Sequence, residues 1–208
     1  MKSNLKYVLE IVLIILTSVI NAQIKSGYTI GFNMARMKLN VSGKIPQQET
    51  MTGIHFGRIY EIPVKGNLSF QPGFLFSSKG SIYKVDTLDV ALSPIYIEIP
   101  ASAAFDIGSE VIKLTLFAGS YLACGIGGNI ELGAEARKIR FGSGVKRDLR
   151  LFDVGMNLGA GLAIKGFIIS SRYGMGLLNL SPVKTAGREM KNRVFDVSIT
   201  MLFESKAK

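Results

Sequence analysis

The stretch Asn67–Gly80 splits by alternate positions into two unlike faces. Leu68, Phe70, Pro72, Phe74 and Phe76 fall on one, and Ser69, Gln71, Gly73, Leu75 and Ser77 on the other. A period of two predicts a strand, because successive side chains leave opposite faces of a pleated backbone. Phenylalanines crowding one face, with a small and polar opposite face, suit a strand turned toward lipid on one side and a tight polar interior on the other. Seven further stretches alternate: Ile24–Met34, Thr52–Pro63, Ser93–Phe105, Val111–Ile126, Leu151–Ala163, Gly166–Met175 and Asn192–Phe203. In the last of these, for example, Phe195, Val197, Ile199, Met201 and Phe203 oppose Asp196, Ser198 and Thr200.

The connections predict how the strands are assembled. Ala35–Met51, Ser78–Leu92, Gly127–Arg150 and Gly176–Lys191 are long. Val64–Gly66, Asp106–Glu110 and Ile164–Gly166 are short. Alternation of short turns with long loops is the layout of an antiparallel transmembrane barrel, here all-β and eight-stranded, with short periplasmic turns, long external loops and both termini on the short-turn side. A soluble eight-stranded barrel shares the period. It would have to expose the face rich in Gly and poor in charge, a bad solvent surface. Two details strain the scheme. Pro72 and Pro100 lie inside strands of a barrel that has no edge, which predicts bulges there. Arg58 falls on the apolar face of the second strand, where it is tolerable only by snorkelling to a membrane boundary.

Composition agrees with strands that cross a membrane. Mean hydropathy is positive, yet beyond the N-terminus no apolar run approaches the roughly 18 to 20 residues of a spanning helix. Residues 1–22 read as a cleaved secretory signal peptide: Lys2 and Lys6, an apolar Ile11–Leu16, and a small-residue exit at Asn21-Ala22. Residues 23–203 then form one barrel domain, and 204–208 a short polar tail. The single cysteine, Cys124, can make no intramolecular disulfide and reads as a small apolar filler.

Several segments resemble the PorT-like outer-membrane β-barrel family. Leu68–Gly80 resembles its third-strand motif, and Tyr96–Pro100 the opening of the following strand. Phe117–Leu122 is similar to its central strand, Arg172–Asn179 to its seventh strand and following loop, and Asn192–Phe195 to the start of its last. The resemblance runs from about Gly27 to Phe203. It implies an eight-stranded barrel in the outer membrane of a Gram-negative cell. The family's namesake is associated with protein secretion, and most members have no assigned activity. One departure is the polar Glu204–Lys208 after Phe203, where such barrels often end on an aromatic residue.

Candidate chemistry is sparse. Glu61, Glu98, Lys113, Asp153, Arg172 and Asp196 fall on inward positions. Eight strands enclose a lumen that side chains fill, so these six are expected to pair as a structural polar network, against the alternative of a gated ion path. An enzyme of the lipid-modifying kind wants a His beside a Ser or carboxylate. The one histidine, His55, has no such partners in view on the rim. One His and one Cys cannot build a zinc site within the chain, and the glycine clusters match no phosphate loop. No metal, cofactor or catalytic residue is expected. The formal net charge is +10, and much of it lies in loops: Arg137, Lys138, Arg140, Lys146, Arg147 and Arg150, then Lys184, Arg188, Lys191 and Arg193. Secretion and the lack of a motif argue against nucleic acid as the partner. Lipopolysaccharide phosphates suit the first six, alongside outer-membrane lipid and envelope or secretion proteins. The expectation is a non-enzymatic outer-membrane barrel of structural or accessory role, supporting secretion or surface assembly. A lipid-modifying enzyme and a small-solute channel stand as alternatives.

Overall fold

The computed structural model describes residues 24–41, 47–85, 88–109, 111–182 and 188–204. The expected signal peptide and nearly all of the polar tail lie outside the described residues. Ten strands form: β1 (Lys25–Val41), β2 (Gln48–Lys65), β3 (Leu68–Ser78), β4 (Ser81–Val85), β5 (Leu88–Gly108), β6 (Ile112–Leu132), β7 (Glu135–Lys138), β8 (Phe152–Ile164), β9 (Phe167–Gly176) and β10 (Arg188–Glu204). Eight of them close a ring, β1-β2-β3-β5-β6-β8-β9-β10 and back to β1, every pairing antiparallel. The other two belong to the external end. β4 carries the line of β3 onward between β2 and β5, and β7 folds back on β6.

The greasy face of each wall strand is the outside of the barrel. Ile30, Phe32, Ile54, Leu158 and Ile169 are each more than half exposed, which no soluble barrel could tolerate and a lipid-facing wall requires. Cys124 sits on this outer face, half-buried. Among the described residues no helix is long and apolar enough to cross a membrane; the strands cross instead. Arg58 sits on the outer wall at the periplasmic boundary, its Cζ 5.8 Å from the centroid of Tyr28 and 5.2 Å from that of Tyr60, with Nη2 donating to Ser26 Oγ at 3.3 Å. Two aromatic faces and a hydroxyl hold the cation at the membrane edge.

The structure departs from expectation in two respects. The strands run further outward than their alternation: β1 reaches Val41 and β6 reaches Leu132, so part of each presumed loop is strand. Above the membrane the outer face turns polar, at Arg36 and Lys38 for instance, while the inward face turns apolar, at Met37 for instance, so the sign of the contrast inverts. The bulges also lie elsewhere. Registers hold unbroken across Pro72 and Pro100, where the β3–β5 ladder skips Gly73–Phe74 opposite Ile99–Pro100 without slipping. The extra residues are Val64 on β2 and Ile126 on β6. The tight turn after β8 falls where the short connection Ile164–Gly166 was expected, with Lys165 at φ 46° and Gly166 at φ 87°, the twist that a two-residue hairpin between right-twisted strands requires.

Candidate functional site

The inward positions form a column of polar and apolar layers from one end of the barrel to the other. At the periplasmic end, Glu61 accepts from Gln71 Nε2 at 2.9 Å and pairs with Lys25 at 3.7 Å. Asp106 accepts from Thr115 Oγ1 at 2.7 Å and from Lys113 Nζ at 3.4 Å. Lys25, Glu61, Asp106, Lys113 and Thr115 line an open vestibule of about 350 Å³. An apolar layer of Ala104, Phe117 and Ile168, packed on Ala163 and Leu202, closes it from within.

Above that layer, Lys79, just past the end of β3, pairs with Glu98 of β5, both nearly out of contact with solvent. The Lys79 ammonium also stands 4.3 Å from the Tyr121 ring centroid. Arg172 lies directly opposite Asp196 across β9 and β10, its Cζ 4.3 Å from the Phe117 centroid. His55 Nδ1 donates to Asn33 Oδ1 at 2.8 Å, since Asn33 Nδ2 is already the donor to Ser77 Oγ at 3.1 Å and to the Ser78 carbonyl at 2.8 Å. The space left among these side chains is about 40 Å³, room for a few water molecules and nothing larger. Gly31 is the seat of the imidazole: a Cβ there would lie 2.5 Å from His55 Cε1.

The next layer holds Asp153, which accepts from Tyr121 Oη at 3.0 Å and from Asn192 Nδ2 at 2.8 Å. Tyr96 and Tyr121 pack beside it, and Phe141 drops from the loop after β7 to meet Tyr96 edge-on with centroids 6.1 Å apart. Over this sits an apolar cap of Met37, Tyr83, Leu92, Ile139, Leu149, Leu180 and Met190. Tyr83 Oη donates to the Met37 carbonyl at 3.0 Å, and burial raises that phenol well above its ordinary range.

All six charged residues expected in the lumen point inward, but they do not form one network. Among the described residues none of the six is ion-paired to another. Glu61 and Lys113 serve the vestibule, Glu98, Arg172 and Asp196 the centre, and Asp153 the upper layer. Their partners include Lys25, Lys79 and Asp106, which the alternation had assigned no role. The parity signal for all three was present, since Lys25 stands in line with the inward series Gly27 to Asn33. Lys79 continues the inward series Ser69 to Ser77, and Asp106 continues Glu98 to Ala104.

The loop cations are likewise not one patch. Asp148 gathers Arg137 through Nη1 at 2.8 Å and Nη2 at 2.9 Å, and takes the Arg140 backbone N–H at 2.9 Å and its Nε at 3.3 Å. Arg150 donates its backbone N–H to the Leu180 carbonyl. Among the described residues, Lys138, Lys146 and Arg147 have no carboxylate within ion-pair distance, and Lys184 lies outside the described residues. The hydrogen bonds from Arg137, reinforced by those from Arg140, hold the Asp148 carboxyl well below the usual carboxylate range. Its folded value is therefore lower than its unfolded one. The stabilisation is full above the ordinary carboxylate range and is lost only as pH falls through the depressed value. Asp148→Asn should open the loop after β7 to trypsin at neutral pH while the barrel stays folded; the wild-type loop, clamped at that pH, should resist. Equal digestion of the two proteins at neutral pH would exclude the clamp.

Among the described residues no three His, Cys, Asp or Glu side chains converge as metal ligands. The model of the outer membrane protein beta-barrel domain family matches residues 21–181, and the chain belongs to that family. It is an outer-membrane β-barrel protein. Among solved structures it is similar to the attachment invasion locus protein Ail of Yersinia pestis, at 15% identity over 86% of this chain and 98% of that one, TM-score 0.44. It is similar also to Neisserial surface protein A, at 14% identity over 86% and 99%, TM-score 0.45. For OprG of Pseudomonas aeruginosa the values are 7% identity over 88% and 95%, TM-score 0.44. No curated protein sequence matches the chain.

Proposed function

We propose that this protein is a non-enzymatic barrel with a structural or accessory role in the outer membrane, supporting protein secretion or surface assembly through its external face. The observation that carries this reading is the closure of the lumen. An apolar layer, a buried charged layer and an apolar cap follow one another along its axis, and the central space of about 40 Å³ offers no path to a solute. Enzymatic action on lipid finds little support either. His55 is buried in the centre with its Nδ1 bonded to the Asn33 amide, and its cross-strand neighbour Ser77 is bonded to that same amide rather than to the imidazole. Among the described residues no hydroxyl is hydrogen-bonded to this imidazole, the contact by which it would take a nucleophile's proton.

What remains for function is the surface that faces outward. The likeness of Leu68–Gly80, Tyr96–Pro100 and Arg172–Asn179 to PorT-like barrels favours secretion over other accessory tasks. The cap and the cations Lys138, Lys146 and Arg147 would meet envelope or secretion proteins, or lipopolysaccharide phosphates, outside the membrane. Residues 1–22 would act as the cleaved leader that delivers the chain. The test compares the proteins released and surface-displayed by a deletion strain with those of its parent. Specific secreted proteins should build up in the periplasm of the deletion strain; matching profiles would overturn the export reading.

A further inference from the structure

On the outer wall where β1 meets β10, the change from apolar to charged falls on the same rung of both strands. Outward positions on β1 run Tyr28, Ile30, Phe32, Met34, then Arg36 and Lys38. On β10, read toward the external end, they run Phe203, Met201, Ile199, Val197, Phe195, then Arg193 and Lys191. The register makes Met34 the partner of Phe195, Arg36 the partner of Arg193, and Lys38 the partner of Lys191. Two successive rungs therefore set cation directly against cation, an arrangement that is unfavourable unless something else supplies negative charge.

The protein supplies little of it. Arg36 Nη2 donates to Thr50 Oγ1 at 3.2 Å, and Arg193 Nη1 donates to the carbonyls of Gly176 and Asn192, each at 2.9 Å. These acceptors are neutral. Among the described residues the one carboxylate at the patch is Glu189, paired with Lys191 at 2.5 Å. The Lys191 hydrogen bond, with Lys38 and Arg193 nearby, holds that carboxyl below its usual range. Four cations thus face one acid. Elsewhere on the external part of the wall, Lys84 is already matched by Glu49 at 2.6 Å. Directly below the cations, Met34, Tyr173 and Phe195 form an apolar floor, and with Arg36, Lys38 and Arg193 they bound an open depression of about 630 Å³.

We propose that this wall is a binding site for the phosphorylated glycolipid of the outer leaflet. Arg36, Lys38, Lys191 and Arg193 contact the phosphates of its lipid A, and Met34, Tyr173 and Phe195 lie against its acyl chains. The height fixes the source of the phosphate. Cations that begin one rung above the last lipid-facing apolar pair sit at the headgroup level of a membrane, where charge-assisted hydrogen bonds to phosphate are strongest and longest lived. The assignment does not depend on the export role. It places the lipid contact on the barrel wall, separate from β7 and the loop after it, where Arg137 and Arg140 are held by Asp148.

The test measures retention of bisphosphorylated lipid A by the full-length protein in detergent, using native mass spectrometry. The wall variant is Arg36→Gln/Lys38→Gln/Lys191→Gln/Arg193→Gln, and the loop variant Lys138→Gln/Lys146→Gln/Arg147→Gln serves as control. Wild type and the loop variant should retain the lipid equally, and the wall variant at least tenfold less. Lipid A stripped of both phosphates should bind wild type as weakly as the intact lipid binds the wall variant. All three proteins must remain heat-modifiable in electrophoresis, as exposed substitutions allow. The proposal falls if the wall variant matches wild type, if loss follows the loop variant instead, if dephosphorylated lipid binds as well, or if millimolar inorganic phosphate displaces the lipid.

Discussion

Replacing Lys79 with Met should destabilise the barrel more than any other single removal of a lumen charge. The side chain is 4% exposed and pairs with Glu98, itself 8% exposed. Both lie at the level of the membrane interior, with tyrosine rings beside the ammonium at 4.3 and 5.6 Å. Removing the lysine leaves a carboxylate in a closed, low-dielectric space with no counter-charge in contact. The expected cost is about 3–5 kcal/mol, the range for breaking one side of a buried ion pair. The physical signature is the double variant. In Lys79→Met/Glu98→Gln the orphaned charge is gone, and most of the lost stability should return, because a buried pair contributes far less than its rupture costs. Urea unfolding of the refolded protein in lipid vesicles measures both. A single variant as stable as wild type, or a double variant no better than the single, would show that the pair does not hold the centre of the lumen.

The same residue shows where a sequence stops being legible. The eight wall strands, their order and their two faces could all be read from alternation, because lipid outside and a crowded polar space inside impose opposite demands on neighbouring positions. That demand ends at the membrane boundary. Beyond it the outward face turns polar and the inward face packs into the apolar cap, so the sign of the alternation reverses; the outward runs of β1, β2, β5, β6 and β10 looked like connections, and β4 and β7 left no signal. Lys79 fell in such a connection although its parity placed it inside. Arg193 and Lys191 were visible as loop charges, yet only the register shows that they stand opposite Arg36 and Lys38. Which inward charges meet is also beyond pattern, since it depends on shear between strands: Lys113 finds Asp106 and Lys25 finds Glu61, while Arg172 and Asp196 share a rung. The prolines erred in the other direction. A missing donor was expected to force a bulge, but the ladder tolerates a gap at Gly73–Phe74 without slipping.

Gly155→Val should abolish the folded barrel, whereas Gly127→Val should leave it intact. Both glycines belong to clusters that composition alone treats alike, and neither has a positive φ. They differ in what a side chain would meet. A Cβ at Gly155 would lie 2.3 Å from Tyr121 Cε1, 2.5 Å from its Cζ and 2.4 Å from the Met175 carbonyl oxygen. At Gly127 nothing lies within 4 Å. The backbone on one side cannot yield, so the Tyr121 ring must, and with it goes the hydrogen bond its hydroxyl donates to Asp153. Overpacking of about 1–3 kcal/mol then adds to about 1.5–3 kcal/mol for a lost hydrogen bond to a charged group. Displacing the ring also takes an aromatic face away from Lys79, so the damage reaches the central ion pair. Tyr121→Phe separates the two contributions, since it removes the hydroxyl and keeps the ring. It should be heat-modifiable and only moderately weakened, lying between wild type and Gly155→Val. If Gly155→Val folded as well as Gly127→Val, Tyr121 would have space elsewhere, and the lumen would not be the closed, filled column on which the exclusion of a solute path depends.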